Sequence, residues 1–119
     1  MTNFTQQHIV TEKETAMYFG SGSLEVFATP AMVALMENTA INMIDDLNSD
    51  FTTVGIEINV QHKKASKVGE TVICTVELVN HERKLYEFSI TVTNIKGEQI
   101  GTATHKRVAV QIEKFMSSL

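Results

Sequence analysis

The stretch TPAMVALMENTAINMIDDL, residues 29–47, is followed closely by VGIEINVQH, residues 54–62, and the two differ in period. The first is rich in Ala, Leu, Met and Glu and predicts a helix over Pro30–Leu47. Thr29 reads as its N-cap, where a hydroxyl can accept an orphan amide hydrogen. Pro30 loses nothing at the next position, because its missing N–H would be unpaired there. Asp45 and Asp46 oppose the dipole at a helix C-terminus, so the chain leaves the helix there. In the second stretch Val54, Ile56, Ile58 and Val60 alternate with Gly55, Glu57, Asn59 and Gln61, the pattern of a half-buried strand.

Working outward, Ala65–Glu70 reads as a loop. Val72, Cys74, Val76 and Leu78 alternate with polar residues in a second strand, and His81–Lys84 is a polar turn. Tyr86, Phe88, Ile90 and Val92 form the apolar face of a third, and Asn94–Gly97 signals a hairpin. Glu98 to about Glu113 is a long final strand, and a short strand is expected near His8–Thr11. Short connections mean antiparallel neighbours. The expected fold is α+β over residues 1–119 as a single domain: one long helix on one face of a curved antiparallel sheet of about five strands. One helix leaves much of such a sheet to cover. A homodimer is therefore expected, with a higher oligomer left open.

The chain has 119 residues, 43% hydrophobic, 20% charged and 7% aromatic, which excludes disorder, collagen and coiled coil. A net charge of −4 without a basic block argues against a nucleic-acid partner. A single cysteine, Cys74, excludes an internal disulfide and a Cys-based zinc site, and it reads as a small core residue. The apolar runs fall far short of the ~20 residues of a membrane span, and Met1–Val10 is polar, so the cytoplasm is the expected compartment. Gly20-Ser21-Gly22-Ser23 has no lysine and is a flexible loop rather than a phosphate loop.

Three residues break the local rule. At helical spacing Val33, Glu37, Ala40, Ile41 and Ile44 share a stripe, which puts the Glu37 carboxylate on an apolar face. An unpaired charge is costly there, so Glu37 either snorkels at the edge or has a function. His62 shares the strand parity of Val54 to Val60 and is either a satisfied core histidine or a proton carrier facing the helix. Thr29 places a hydroxyl beside helix N-terminal amides, which attract developing negative charge. Met32, Met36 and Met43 read as core, and His105, Lys106 and Arg107 read as strand surface. Lys63, Lys64 and Lys67 form a solvated edge that a phosphate-bearing ligand could use.

Val26-Phe27-Ala28-Thr29, Met32-Val33, Leu35-Met36-Glu37, Val54-Gly55, His62, Thr104-His105-Lys106-Arg107 and Glu113-Lys114-Phe115, in this order and spacing, resemble the fluoroacetyl-CoA thioesterase family. The resemblance runs from about Tyr18 to Phe115. It implies a hot-dog fold that dimerises through its sheets, and hydrolysis of a short acyl-CoA thioester. It places the family's catalytic Thr, Glu and His on Thr29, Glu37 and His62, and its acyl-pocket glycine and arginine on Gly55 and Arg107. Phe27 joins these as a substrate-binding candidate. Coenzyme A is then part of the substrate, and neither a bound cofactor nor a metal is expected. The pair of lid phenylalanines of the fluoroacetate-specific enzyme has no counterpart in the shorter, glycine-rich Tyr18–Leu24, so the resemblance carries thioester hydrolysis without fluoroacetyl selectivity. The other readings of the same residues are an acyl-CoA hydratase or dehydratase and a non-catalytic acyl-CoA-binding protein.

Overall fold

A computed structural model of the chain, describing residues 2–119, bears out the change of period as the change from helix to sheet. The elements are β1 (Asn3–Ile9), a 3-10 turn (Glu12–Glu14), α1 (Ala16–Phe19), α2 (Thr29–Met43), β2 (Phe51–His62), β3 (Thr71–Glu82), β4 (Leu85–Asn94), β5 (Gln99–Gln111) and α3 (Ile112–Ser117). The strands form one five-stranded sheet in the order β1-β3-β4-β5-β2, every neighbour antiparallel. β3, β4 and β5 follow one another as hairpins, whereas β2 joins the far side of β5 and ends the sheet. This is the α+β architecture expected from the sequence.

α2 buries a methionine-rich stripe. Met32, Met36, Ala40 and Met43 join Val72, Cys74 and Val76 of β3 and Phe88, Ile90 and Val92 of β4 in one apolar core. Methionine suits a helix laid on a twisted sheet, because its unbranched chain fills irregular gaps. Burial pushes the Cys74 thiol up to about 11, so it is an inert core residue, as read from the sequence. The stripe is rotated from the expected one. Val33, Glu37 and Ile44 are only half-buried and Ile41 is exposed, so Glu37 lies on the flank of the buried face rather than within it.

Both ends of α2 differ from expectation. Ala28 is the N-cap and Thr29 already lies in the first turn, with no side-chain cap. The Thr29 hydroxyl is thereby free for another partner. The helix stops at Met43, short of Leu47, and Ile44 is extended. The Tyr86 hydroxyl donates to both Asp46 carboxylate oxygens at 2.9 and 3.1 Å, which ties the following chain to β4. β1 begins earlier than expected, and β5 ends at Gln111, whose side chain caps α3 by accepting from the Lys114 amide at 2.7 Å.

The larger difference lies in β2. Its pairing with β5 slips by one residue between Gly55 and Glu57. A bulge reverses the inside–outside alternation of everything before it. Thr53 and Gly55 therefore face the helix together with His62, while Ile56 turns outward, 56% exposed, where regular alternation had put it inside. On β5, Gly101, Ala103, His105, Arg107 and Ala109 all point inward. The surface reading of His105 and Arg107 is thus overturned: they are 2% and 4% exposed, and only Lys106 between them turns out.

Gly101 is required by close approach. A Cβ there would lie 2.7 Å from the end of Met32 and 2.9 Å from the Gln61 carbonyl oxygen. A methionine can swing aside, but a strand carbonyl cannot. Gly101→Ala should therefore destabilise the fold by roughly 1–3 kcal/mol. The check is a lowered urea midpoint at unchanged slope; an unmoved midpoint would show that β2 and β5 part at that rung without cost.

Candidate active site

The candidate residues gather in two places along the seam between α2 and β2. At the start of α2, Thr29 Oγ1 lies 2.8 Å from His62 Nδ1. The other ring nitrogen, His62 Nε2, is buried and has no hydrogen-bond partner among the described residues. Burial lowers the His62 pKa, so the ring is held neutral and can accept a proton. Phe27, 1% exposed, packs edge-on to His62 with ring centroids 6.4 Å apart. It is a wall behind the histidine rather than a lid. These residues line a cavity of about 320 Å³ together with Ala16, Ser21, Lys63 and Lys64. Tyr18 and Phe19 of α1 are exposed and are not among the residues lining it.

The second place is built by the bulge. Arg107 reaches inward from β5 and is fixed by β2: Nε donates to Thr53 Oγ1 at 2.8 Å and Nη2 to the Thr53 carbonyl at 3.0 Å. Nη1 donates to His105 Nε2 at 3.2 Å and lies 3.7 Å from Glu37 Oε2. Burial lowers the Arg107 pKa and the Glu37 charge opposes that shift; the guanidinium remains a cation. Gly55 closes the cluster. A Cβ on it would sit 3.0 Å from Glu37 Oε2 and 3.3 Å from both Arg107 Nη1 and His105 Cε1. Without a side chain at Gly55, a carboxylate, a guanidinium and an imidazole close over the backbone more tightly than a methyl group there would allow.

The structure thus joins Thr29 with His62, and Glu37 with Gly55 and Arg107. It does not join the two pairs within one chain. Thr29 and Glu37 are eight residues apart on α2, about 12 Å of helix, and Gly55 and His62 are separated by roughly 20 Å of strand. Sequence reasoning alone missed His105. Its signal was the shared parity with Gly101, Ala103 and Ala109, small residues that face a helix.

Comparison with known proteins bears on the fold and the family. The family model described as fluoroacetyl-CoA-specific thioesterase matches residues 10–113. A fluoroacetyl-CoA thioesterase of Streptantibioticus cattleyicolor is 35% identical over 92 residues. That match spans 76% of this chain and 66% of the relative, just under two thirds of its length. A crystal structure of the fluoroacetyl-CoA thioesterase FlK superposes with a TM-score of 0.90 at 29% identity, covering 98% of this chain and 90% of that one. A variant of it in complex with fluoroacetate and CoA gives 0.88 at 29% identity, covering 95% of each. A Thermus thermophilus hypothetical protein of the thioesterase superfamily shares the fold, with a TM-score of 0.87 at 20% identity, covering 97% of this chain and 85% of that one.

Burial lowers the pKa of His62, and also that of His105, where the bond to the Glu57 carbonyl works against the shift. In the unfolded chain both titrate near 6.5. As the pH falls below about 6.5 the unfolded state takes up protons that the folded state refuses, so stability should drop between that value and the lower folded-state values. Urea midpoints at about pH 7.5 and about pH 5.5 should show this loss, and His62→Gln should reduce it. A pH-independent midpoint across that window would mean the two rings are not protected from protonation.

Proposed function

The chain belongs to the fluoroacetyl-CoA-specific thioesterase family, and on that premise we propose that it hydrolyses a short-chain acyl-CoA thioester to the free acid and coenzyme A. The observation that carries this reading is the meeting of the Glu37 carboxylate and the buried Arg107 guanidinium over the bare backbone of Gly55. It suits a small acyl group, with the carboxylate placed to attack its carbonyl or to take a proton from an attacking water. The Thr29–His62 pair supplies a neutral imidazole and a hydroxyl, which hold the water or the carbonyl and pass the proton to the departing thiol. Amides in the first turn of α2 lack intrahelical partners and favour the negative charge that develops on the carbonyl oxygen. Lys63 and Lys64 offer positive charge at the cavity for the phosphates of coenzyme A, which enters as part of the substrate. The expected compartment remains the cytoplasm.

We further propose that the working form is a homodimer, for a reason other than the one the sequence suggested. The outer sheet face carries Ser89, Thr91, Thr102 and Thr104 and suits water. Of the two sheet edges, β1 and β2, the one beside the candidate residues is β2, where Ile56 is exposed. Two β2 edges paired antiparallel about a two-fold axis near Ile58 and Asn59 would set Gly55 of one protomer opposite the end of β2 in its partner. Glu37 of one protomer would then work with Thr29 and His62 supplied by the second.

This arrangement has a sharp test. Glu37→Gln keeps the shape of the side chain but not its basicity, and should lower turnover by roughly 10²-fold or more, as should His62→Ala. Mixing the two inactive variants under subunit exchange makes half of the dimers mixed, each with one intact site, so activity should recover to about a quarter of wild type. No recovery in demonstrably mixed dimers would place each site within one chain. A fully active Glu37→Gln protein would remove the hydrolytic assignment and bring the hydratase and binding-protein readings forward.

Selectivity follows from the lining. With Ala16 and Ser21 lining the cavity and neither Tyr18 nor Phe19 reaching it, fluoroacetyl-CoA should be preferred over acetyl-CoA weakly or not at all. The measurement is the ratio of kcat/KM for the two esters; a preference of about a hundredfold or more would show that other pocket contacts discriminate.

A further inference from the structure

His105 is the least exposed ionisable side chain of the second cluster, and its two nitrogens have partners that leave one assignment. Nε2 lies 3.2 Å from Arg107 Nη1. A guanidinium has donors only, so Nε2 must accept and carries no proton. Nδ1 lies 2.8 Å from the Glu57 carbonyl oxygen, which has acceptors only, so Nδ1 must donate. The ring is therefore the neutral Nδ1–H tautomer. Glu57 is the first residue past the β2 bulge, and Arg107 pairs with Gly55 just before it. One imidazole thus spans the bulge, holding its backbone through one nitrogen and the pocket's cation through the other. Phe88 stacks on the ring at 6.1 Å and limits its rotation.

We infer that His105 is a positioning residue for the acyl pocket: as the Nδ1–H tautomer it fixes the Arg107 guanidinium and the bulge that turns Gly55 inward, and so sets the size and polarity of the site for a short acyl group. The inference rests on the thioesterase reading for its effect on turnover, but not for the tautomer. Thr53 holds one edge of the guanidinium, and without His105 the plane can pivot about that edge. Nη1 then leaves its place beside Glu37. The conservative replacements differ in what they keep. Gln can set a carbonyl oxygen near the position of Nε2 and so accept from Arg107; Phe keeps the ring and the Phe88 stack but neither bond.

The test has two arms. Nitrogen-detected NMR of the wild-type imidazoles at neutral pH should show His105 protonated at Nδ1 and bare at Nε2; protonation at Nε2 would overturn the inference whatever the activity. In the kinetic arm, His105→Phe should lower kcat about tenfold or more for acetyl-CoA, with KM changed only two- to threefold. His105→Gln should recover most of that loss. In an Arg107→Lys background His105→Phe should cost nothing further, because its effect passes through the guanidinium. Equal losses in both backgrounds, with no rescue by Gln, would make His105 a packing residue and sink the proposal. Should the Phe variant fail to fold, His105→Gln and the NMR arm still decide. A wild-type chain with the stated tautomer but no thiol release would reject the thioesterase reading alone.

Discussion

Between Gly55 and Glu57 the ladder joining β2 to β5 slips by one residue, and the pocket depends on that slip. With regular alternation from Thr53 to His62, the side that carries His62 would also carry Ile56 and Val54, and the helix would meet a continuous apolar strip. The extra residue gives the inner face two kinds of surface instead. Ile58, Val60 and His62 continue one way along β2, while Thr53 and Gly55 come inward the other way. Thr53 then meets Arg107 through both its hydroxyl and its carbonyl, and Gly55 lets Arg107 and Glu37 approach over its bare backbone. A guanidinium without these partners would be a buried, unsatisfied charge of the kind proteins rarely tolerate.

The sequence disclosed the elements more readily than their phase. The helix, the meander of β3, β4 and β5, and the methionine core follow from hydrophobic period and from Thr29-Pro30, because such signals are local. Glu37 and His62 stood out for the same reason: each breaks the pattern of its own element. The bulge did not stand out, because Val54-Gly55-Ile56-Glu57 alternates perfectly on paper and the slip is imposed by the partner strand. His105 and Arg107 followed from the same blindness. Their polarity suggests surface, and only the strand phase and the bonds to Thr53 and Glu57 explain their burial. The Thr29 cap failed differently. A threonine before proline is a sound capping signal, but the chain starts the helix one residue earlier and gives the hydroxyl to His62.

That last difference alters what the hydroxyl is for. Were it bonded to a helix amide, its removal would weaken α2 by about 1 kcal/mol and confuse stability with chemistry. Bonded to His62 Nδ1, it governs the orientation of a neutral ring whose second nitrogen has no partner among the described residues. A buried nitrogen left free in this way is costly for folding and useful for accepting or handing on a proton.

The same logic separates Arg107 from Glu37. A tight carboxylate–guanidinium pair has oxygens about 2.7–2.9 Å from nitrogen and leaves the carboxylate little reactivity. Here the closest approach is 3.7 Å, and each guanidinium nitrogen is already bonded to Thr53 or His105. The cation is held by neutral acceptors, so it can stay in place without closing onto Glu37. Glu37, on the half-buried flank of α2, keeps one oxygen near a fixed positive charge and over the bare backbone of Gly55. A pocket that needs both an anchored cation and an available carboxylate can keep them neighbours only if a third group holds the cation back. In this chain that restraint falls to one threonine on the bulged strand and one histidine across from it.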